Sequence, residues 1–226
     1  MITVGQKIAL EYEKHFGVLP VLITNAPPKQ NLRPTPTGTP IRLVHHGIGT
    51  PSRKLELMIE MMKYLPDHFH LDLILLTPPS ASNETIAYIA KLKALADFTD
   101  RIKFIPPIPI EEIVPTLNKY DIGVIVIPPI NFNYENTLPN KFFDYIQARV
   151  ALAIGPTPEM AAIVNGYNLG VVSTDFTSQS LATQIATLTG VKIQAFKINT
   201  EKAAHEFCAE KNREILVGMV EKALLD

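Results

Sequence analysis

From Ile41 onward, short continuous apolar runs alternate with stretches whose apolar residues recur every three or four positions. Ile41–His46, Leu71–Leu76, Ile102–Ile105, Ile122–Ile127, Val150–Ile154 and Gly170–Ser173 have the length and apolar content of buried strands. Helical spacing lies between them in Pro51–Leu65, Asn83–Leu95 with Asn83 as candidate cap, Ile110–Asn118, Pro139–Ala148 and Glu159–Val164. Gln179–Leu188 and Asn199–Leu225 close the chain as helices. Apolar runs separated by helices predict an α/β fold, a Rossmann-like parallel sheet with helices on both faces. Ligands of such sheets bind beyond the carboxyl ends of the strands.

Ahead of this pattern, Gln6–His15 reads as a helix and Val18–Thr24 as a short strand. The stretch 25–40 follows, with Pro27, Pro28, Pro34, Pro36 and Pro40 and little to bury; it reads as a linker or an extended surface arm. A chain of 226 residues holds one large domain, or one domain and a short appendage.

Charge and cysteine content narrow the function. Twenty-one Lys and Arg against 22 Asp and Glu leave a net charge of −1, no electrostatic footprint for nucleic acid. Cys208 is the single cysteine, which excludes an intrachain disulfide and fits a reducing cytosol. The strongest apolar run, Ile122–Ile130, is broken by Pro128 and Pro129 and is too short to span a membrane. The expectation is a soluble cytoplasmic protein without direct membrane insertion.

The chemistry gathers at strand ends. Tyr134–Gly155 (YENTLPNKFFDYIQARVALAIG) is a polar loop, a helix and a strand in succession. At 100° per residue, Asn140, Asp144 and Gln147 share a stripe with Lys141 at its edge, opposite Phe142, Phe143 and Ile146. An amide, an ammonium and a carboxylate together suit a phosphorylated, polyhydroxylated ligand; by spacing alone the stripe reads equally as a solvated face. The first strand ends in His45, His46, Gly47, Ile48 and Gly49, then Thr50–Arg53 opens a helix with Lys54. Glycines admit a ligand closely, and basic residues in a first helical turn run against the macrodipole preference, pointing to a bound anion; an ordinary turn is the alternative. Ser52 stands where a third glycine would complete a dinucleotide fingerprint. Adjacent His45 and His46 face opposite ways on a strand, and no metal-ligand spacing occurs, so no metal is expected. Pro106–Pro109 walls a slot for a flat base or serves as a rigid connector.

With these residues in place, the chain resembles the C-terminal half of a GT-B fold, family-four-type bacterial glycosyltransferase. The resemblance rests on VGQKIALEYEKHFGVLPVLITNAPP, the glycine loop and basic turn, DRIKFIPPIPIEEIVPTLNKYDIGVIVIPP, LPNKFFDYIQAR and GPTPEM in that order. It implies that residues 1–40 are the tail of an acceptor domain with the interdomain linker, and 41–226 a nucleotide-sugar donor domain. Gly47 and Gly49 would approach the sugar-phosphate. Arg53, with Lys54, would neutralise the diphosphate, and Pro107 and Ile108 would line the base. Asn140, Lys141 and Asp144 would hold phosphate and ribose, with Glu135 facing the donor sugar. Arg53 and Glu135 are then the catalytic candidates. Glu135 lies one residue further from Asp144 than the family spacing, Asp144 replaces the usual glutamate, and Ile48 stands where many members carry arginine.

The implied activity is hexosyl transfer from a nucleoside diphosphate sugar, without metal or cofactor, in surface polysaccharide or glycoconjugate synthesis. An N-terminal acceptor domain is missing, so the chain alone would be inactive, and any peripheral membrane contact would belong to that half. The opening Met followed by mid-protein-like sequence favours an excised fragment. The alternatives are a noncatalytic sugar-nucleotide binding module and a GT-B sugar-nucleotide epimerase.

Overall fold

The computed structural model describes residues 1–77 and 80–225. Three elements precede the arm: β1 (Ile2–Thr3), α1 (Gln6–Phe16) and β2 (Val21–Leu22). After it come β3 (Ile41–Ile48), a 3₁₀ turn (Pro51–Arg53), α2 (Glu56–Met61), β4 (Phe69–Leu76), α3 (Asn83–Ala96), β5 (Ile102–Ile105) and α4 (Ile110–Leu117). Then follow β6 (Ile122–Ile125), α5 (Phe132–Glu135), α6 (Asn140–Gln147), β7 (Ala151–Ile154), α7 (Pro158–Tyr167) and β8 (Gly170–Val172). The chain closes with α8 (Ser178–Ala186), α9 (Gly190–Ala203) and α10 (Ala209–Leu225).

Strands β3 to β8 form one parallel sheet in the order β5-β4-β3-β6-β7-β8. Successive side chains on a strand enter opposite faces, and both faces here are covered. Leu43, Leu71, Leu73, Val124 and Ala153 pack with α2, α3 and α8, while Val44, Ile74, Ile125, Leu152 and Ile154 pack with α4, α6 and α7. Full coverage is why the strands read as unbroken apolar runs rather than alternating ones.

Strand order reverses between β3 and β6, the switch point where ligand crevices form in open α/β sheets. These strands pair only through Leu43–Ile122 and Val44–Gly123, although β3 continues to Ile48 beside β4. His45, His46 and Gly47 therefore stand where the sheet has parted, with a crevice between them and the loop after β6.

Three sequence expectations are corrected. Ser82, not Asn83, caps α3, its side chain accepting from the Thr85 N–H at 3.2 Å. The helix expected over 51–65 is a 3₁₀ turn, a left-handed Lys54 (φ 51°) and the short α2. The helix expected over 199–225 breaks at 204–208, where the Gln147 amide donates to the Ala204 and Phe207 carbonyls, 2.7 Å each. Those are carbonyls that lose a helical partner at the break.

The proline-rich arm is tied down along its length. Pro27 O accepts from Ala209 N (3.0 Å), Lys29 N donates to Glu210 (2.9 Å), Gln30 N to Gln147 (3.0 Å) and Thr37 N to Gln194 (3.0 Å). Ahead of it, β1 and β2 pair in parallel around α1, whose first N–H groups, on Gln6 and Lys7, donate to the Glu159 carboxylate of α7. A carboxylate at a helix N-terminus satisfies orphan donors and the macrodipole together. No helix among the described residues is long and apolar enough to cross a membrane.

Candidate functional site

A cavity of about 1020 Å³ opens at the switch point. His46, Gly47 and Ile48 of β3 form its floor with Arg53 of the following turn. Asn140, Lys141 and Asp144 reach it from α6, Ile110 and Glu111 from α4, and Val4, Ile8 and Asn25 from the N-terminal segment.

Pro139 precedes α6 in extended conformation, so the helix starts at Asn140 and aims its first two turns across the parted strands. The Lys141 ammonium is buried, 3.1 Å from His45 Nε2. His45 Nδ1 lies 2.8 Å from the Val124 carbonyl oxygen, which only accepts; Nδ1 therefore carries the proton and Nε2 is free to accept from Lys141. Gly47 makes room for this arrangement. Its φ is +132°, and a Cβ there would come within 2.8 Å of the Lys141 Nζ.

Burial, and then the Arg53 charge, lowers the Lys141 pKa to about 7, with Asp144 acting the other way. Burial raises Asp144 to about 7, opposed by Lys141. His46 is lowered to about 3 by burial and then by Lys141, so its ring is neutral. Its Nε2 lies 3.4 Å from an Asp144 oxygen, yet that contact lacks hydrogen-bond geometry and the buried nitrogen has no partner among the described residues. A buried polar atom without a partner, beside a carboxylate and facing a cavity, is a place for a hydroxyl or amide from outside the chain. Tyr145 braces the floor from beneath: its hydroxyl accepts from His46 N (3.3 Å) and donates to the Val44 carbonyl (3.2 Å). Arg53 rests over the Tyr134 ring at 5.2 Å, and the Tyr134 hydroxyl donates to Ser52 Oγ at 3.1 Å.

Of the residues expected from sequence, Gly47, Arg53, Asn140, Lys141 and Asp144 meet around this cavity. Gly49 does not line it; its missing side chain leaves room for Ile89 of α3. Lys54 is exposed, with its ammonium 3.9 Å from Glu56. Pro107 is exposed and Ile108 packs on the core, so Ile110 and Glu111 take the cavity wall expected of them. Glu135 is exposed at the end of α5 and does not line the cavity, whereas Asn133 and Thr137 do. Gln147 is wholly buried, turned to the α9–α10 break. The backbone of the basic turn is itself occupied: Arg53 N donates to Thr50 O, Lys54 N to Pro51 O and Leu55 N to the Tyr88 hydroxyl.

Sequence reasoning weighed His45 and His46 only as a metal pair. Their signal was position, two ring nitrogen pairs at a strand end next to glycine. Val4 and Ile8 gave no signal. Among the described residues, no group of three or more His, Cys, Asp or Glu side chains is placed to hold a metal ion.

No protein-family model and no curated protein matches the sequence. Solved structures match in fold. Sucrose-phosphate synthase from Thermosynechococcus elongatus superposes with a TM-score of 0.79 at 13% identity, over 99% of this chain and 58% of that one. Anabaena Alr3699/HepE in complex with UDP gives 0.78 at 15% identity, over 97% and 63%. The pneumococcal O-GlcNAc transferase GtfA in complex with UDP and GlcNAc gives 0.72 at 16%, over 100% and 45%. The chain thus spans 45% to 63% of the length of these structures. It has the fold of one half of a GT-B glycosyltransferase, the C-terminal Rossmann-like domain.

Proposed function

We propose that this chain is the donor-binding half of a glycosyltransferase and takes a nucleoside diphosphate sugar for hexosyl transfer. The observation that carries this reading is Lys141, held over Gly47 at the switch point with Arg53 and Asp144 on the same cavity. Two cations next to a neutral glycine floor suit a diphosphate. Lys141 supplies the charge that Ile48 lacks, so the departure from the family pattern at the end of β3 is compensated from α6. The Asp144 carboxylate accepts from a ribose diol, with His46 Nε2 beside it as a second polar contact. As the sugar–phosphate bond breaks, negative charge grows on the leaving diphosphate, and Lys141 and Arg53 stabilise it without further reorganisation.

Residues 41–226 form the donor unit in this reading, and 1–40 belong to the acceptor side and the crossover. The N-terminal β1-α1-β2 unit exposes Met1, Ile2, Leu10, Phe16 and Leu19. A two-stranded parallel pair with an apolar surface needs a larger sheet to complete it, which fits an acceptor domain supplying the other cleft wall. The likeness to Anabaena HepE, crystallised with UDP, and to pneumococcal GtfA, crystallised with UDP and GlcNAc, supports a nucleotide-sugar ligand. Surface polysaccharide or glycoconjugate synthesis is the setting, with any membrane contact made through the other half. Glu135 outside the cavity favours a second reading, a noncatalytic nucleotide-sugar binding module.

Titration calorimetry with UDP, GDP, CMP and dTDP tests the donor site. One diphosphate is expected to bind saturably, and Asp144→Ala to weaken it about tenfold, the share of one charge-assisted hydrogen-bond pair. Absence of saturation by all four at millimolar concentration sinks the donor reading. Turnover of the sugar nucleotide by this chain joined to an acceptor domain separates enzyme from binding module.

Binding should also depend on pH. A bound diphosphate favours the charged form of Lys141, which is only partly charged at neutrality in the free site. Above about pH 7.5 the ligand is fully ionised, and affinity should fall as pH rises, by up to about tenfold per unit. Lys141→Met should flatten that slope; a slope that survives the substitution assigns the titration to another group.

A further inference from the structure

Two buried lysines in this fold are satisfied in different ways. Lys197, fully buried, donates to Thr35 Oγ1 (2.9 Å), the Tyr120 carbonyl (3.1 Å) and the Asp121 carboxylate (3.2 Å). All three of its N–H groups are used and its charge is cancelled in place, which makes it a structural tie between the arm and α9. Lys141, 9% exposed, has one partner within hydrogen-bond distance among the described residues, His45 Nε2. Two N–H groups are left for an outside acceptor. The partner, moreover, is a neutral imidazole. A carboxylate at that position would hold the ammonium equally well but would neutralise it and compete with an incoming anion.

We infer that His45 is the positioning residue for Lys141: fixed by its Nδ1–H bond to Val124, it presents Nε2 as an uncharged acceptor that orients the ammonium over Gly47. This rests on the donor-site reading for its purpose, though the bond itself is independent of it. His45 does not touch the ligand. Its position at the first residue past the β3–β6 pairing gives it a free strand carbonyl to anchor on, so the parting of the sheet that makes the crevice also aims its cation. The groups facing Lys141 are His45 and His46 from β3, Arg53 from the turn, Asp144 from its own helix and Glu111 across the cavity.

The two amide substitutions separate this role from a structural one. His45→Gln carries an oxygen near the place of Nε2 and keeps an acceptor for Lys141 while giving up the bond to Val124. His45→Asn reaches only as far as Nδ1, so it keeps the Val124 bond and strands Lys141. Pyrophosphate is the probe, since it carries the phosphates and no base. His45→Gln is expected to bind within about threefold of wild type, and His45→Asn about tenfold more weakly, the share of a single hydrogen bond to a charged group. The reverse order, or equal binding by both variants, overturns the inference. Should either variant fail to fold, ¹⁵N NMR of the wild-type protein decides: an Nδ1–H tautomer of His45, with Nε2 shifting as Lys141 titrates, supports it, and an Nε2–H tautomer overturns it. Wild-type protein that shows this tautomer and coupling but binds no pyrophosphate sinks the donor-site reading and leaves the pairing intact.

Discussion

Lys141→Met should lose about a hundredfold in nucleoside diphosphate affinity, ~2.7 kcal/mol, while leaving the fold as stable as wild type or more so. The two halves of that expectation have one cause. Burial has already pushed the Lys141 pKa down to about 7, so the free protein holds an ammonium in a place that disfavours its charge. Methionine fills a similar volume without that cost and leaves His45 Nε2 as one newly unpaired atom. An arriving diphosphate, by contrast, finds in lysine a largely buried cation already aimed, and an ammonium–phosphate contact at a buried lysine is stronger than one at the surface. Calorimetry and thermal unfolding on the same sample check both halves. Arg53→Gln, from a half-buried position, should cost less. Unchanged affinity in Lys141→Met would place the phosphates away from Gly47 and remove the main support for a donor site.

The sheet was legible because its physics is local. Leu73–Leu75 and Ile122–Ile125 are apolar on both faces, and only a strand covered on both sides by helices makes that composition sensible. Lys141 and Asp144 were legible for a related reason: three residues apart on a helix, they must share a face. Periodicity names the stripe but not what the stripe meets. Gln147 falls on it and yet serves carbonyls 57 and 60 residues further along, at a helix break whose own sequence, AHEFC, contains no glycine or proline to announce it. Lys54 shows the same limit at one residue's distance from Arg53. A single left-handed φ sends it away from the cavity, and nothing in composition marks a lysine for that conformation. The N-terminal wall was hidden altogether, because Glu159 joins α1 from more than 150 residues away.

Gly123→Ala should cost about 3 kcal/mol, the upper end of overpacking penalties, and lower Tm by about 6–12 °C for a domain of this size. A Cβ at Gly123 would stand 2.5 Å from two carbons of the Tyr145 ring, and the ring has nowhere to retreat. It is fully buried, meets the His46 ring edge-on at 5.3 Å, and its hydroxyl ties the His46 amide to the Val44 carbonyl. Moving it would break those bonds in the apolar interior or lift α6 off the sheet. Either way the floor under His46 and the angle of the helix that carries Lys141 and Asp144 change, so ligand affinity should fall with stability. Gly166→Ala is the matched control, since nothing lies within 4 Å of a Cβ there and α7 gains a better helix former, worth about 0.8–1.0 kcal/mol of added stability. If Gly123→Ala melts like wild type, the close contact between β6 and α6 is not what holds the site in shape. If it melts early and Tyr145→Leu restores part of the loss, the contact is established, and glycine at the centre of a buried strand is explained by the aromatic ring it must admit.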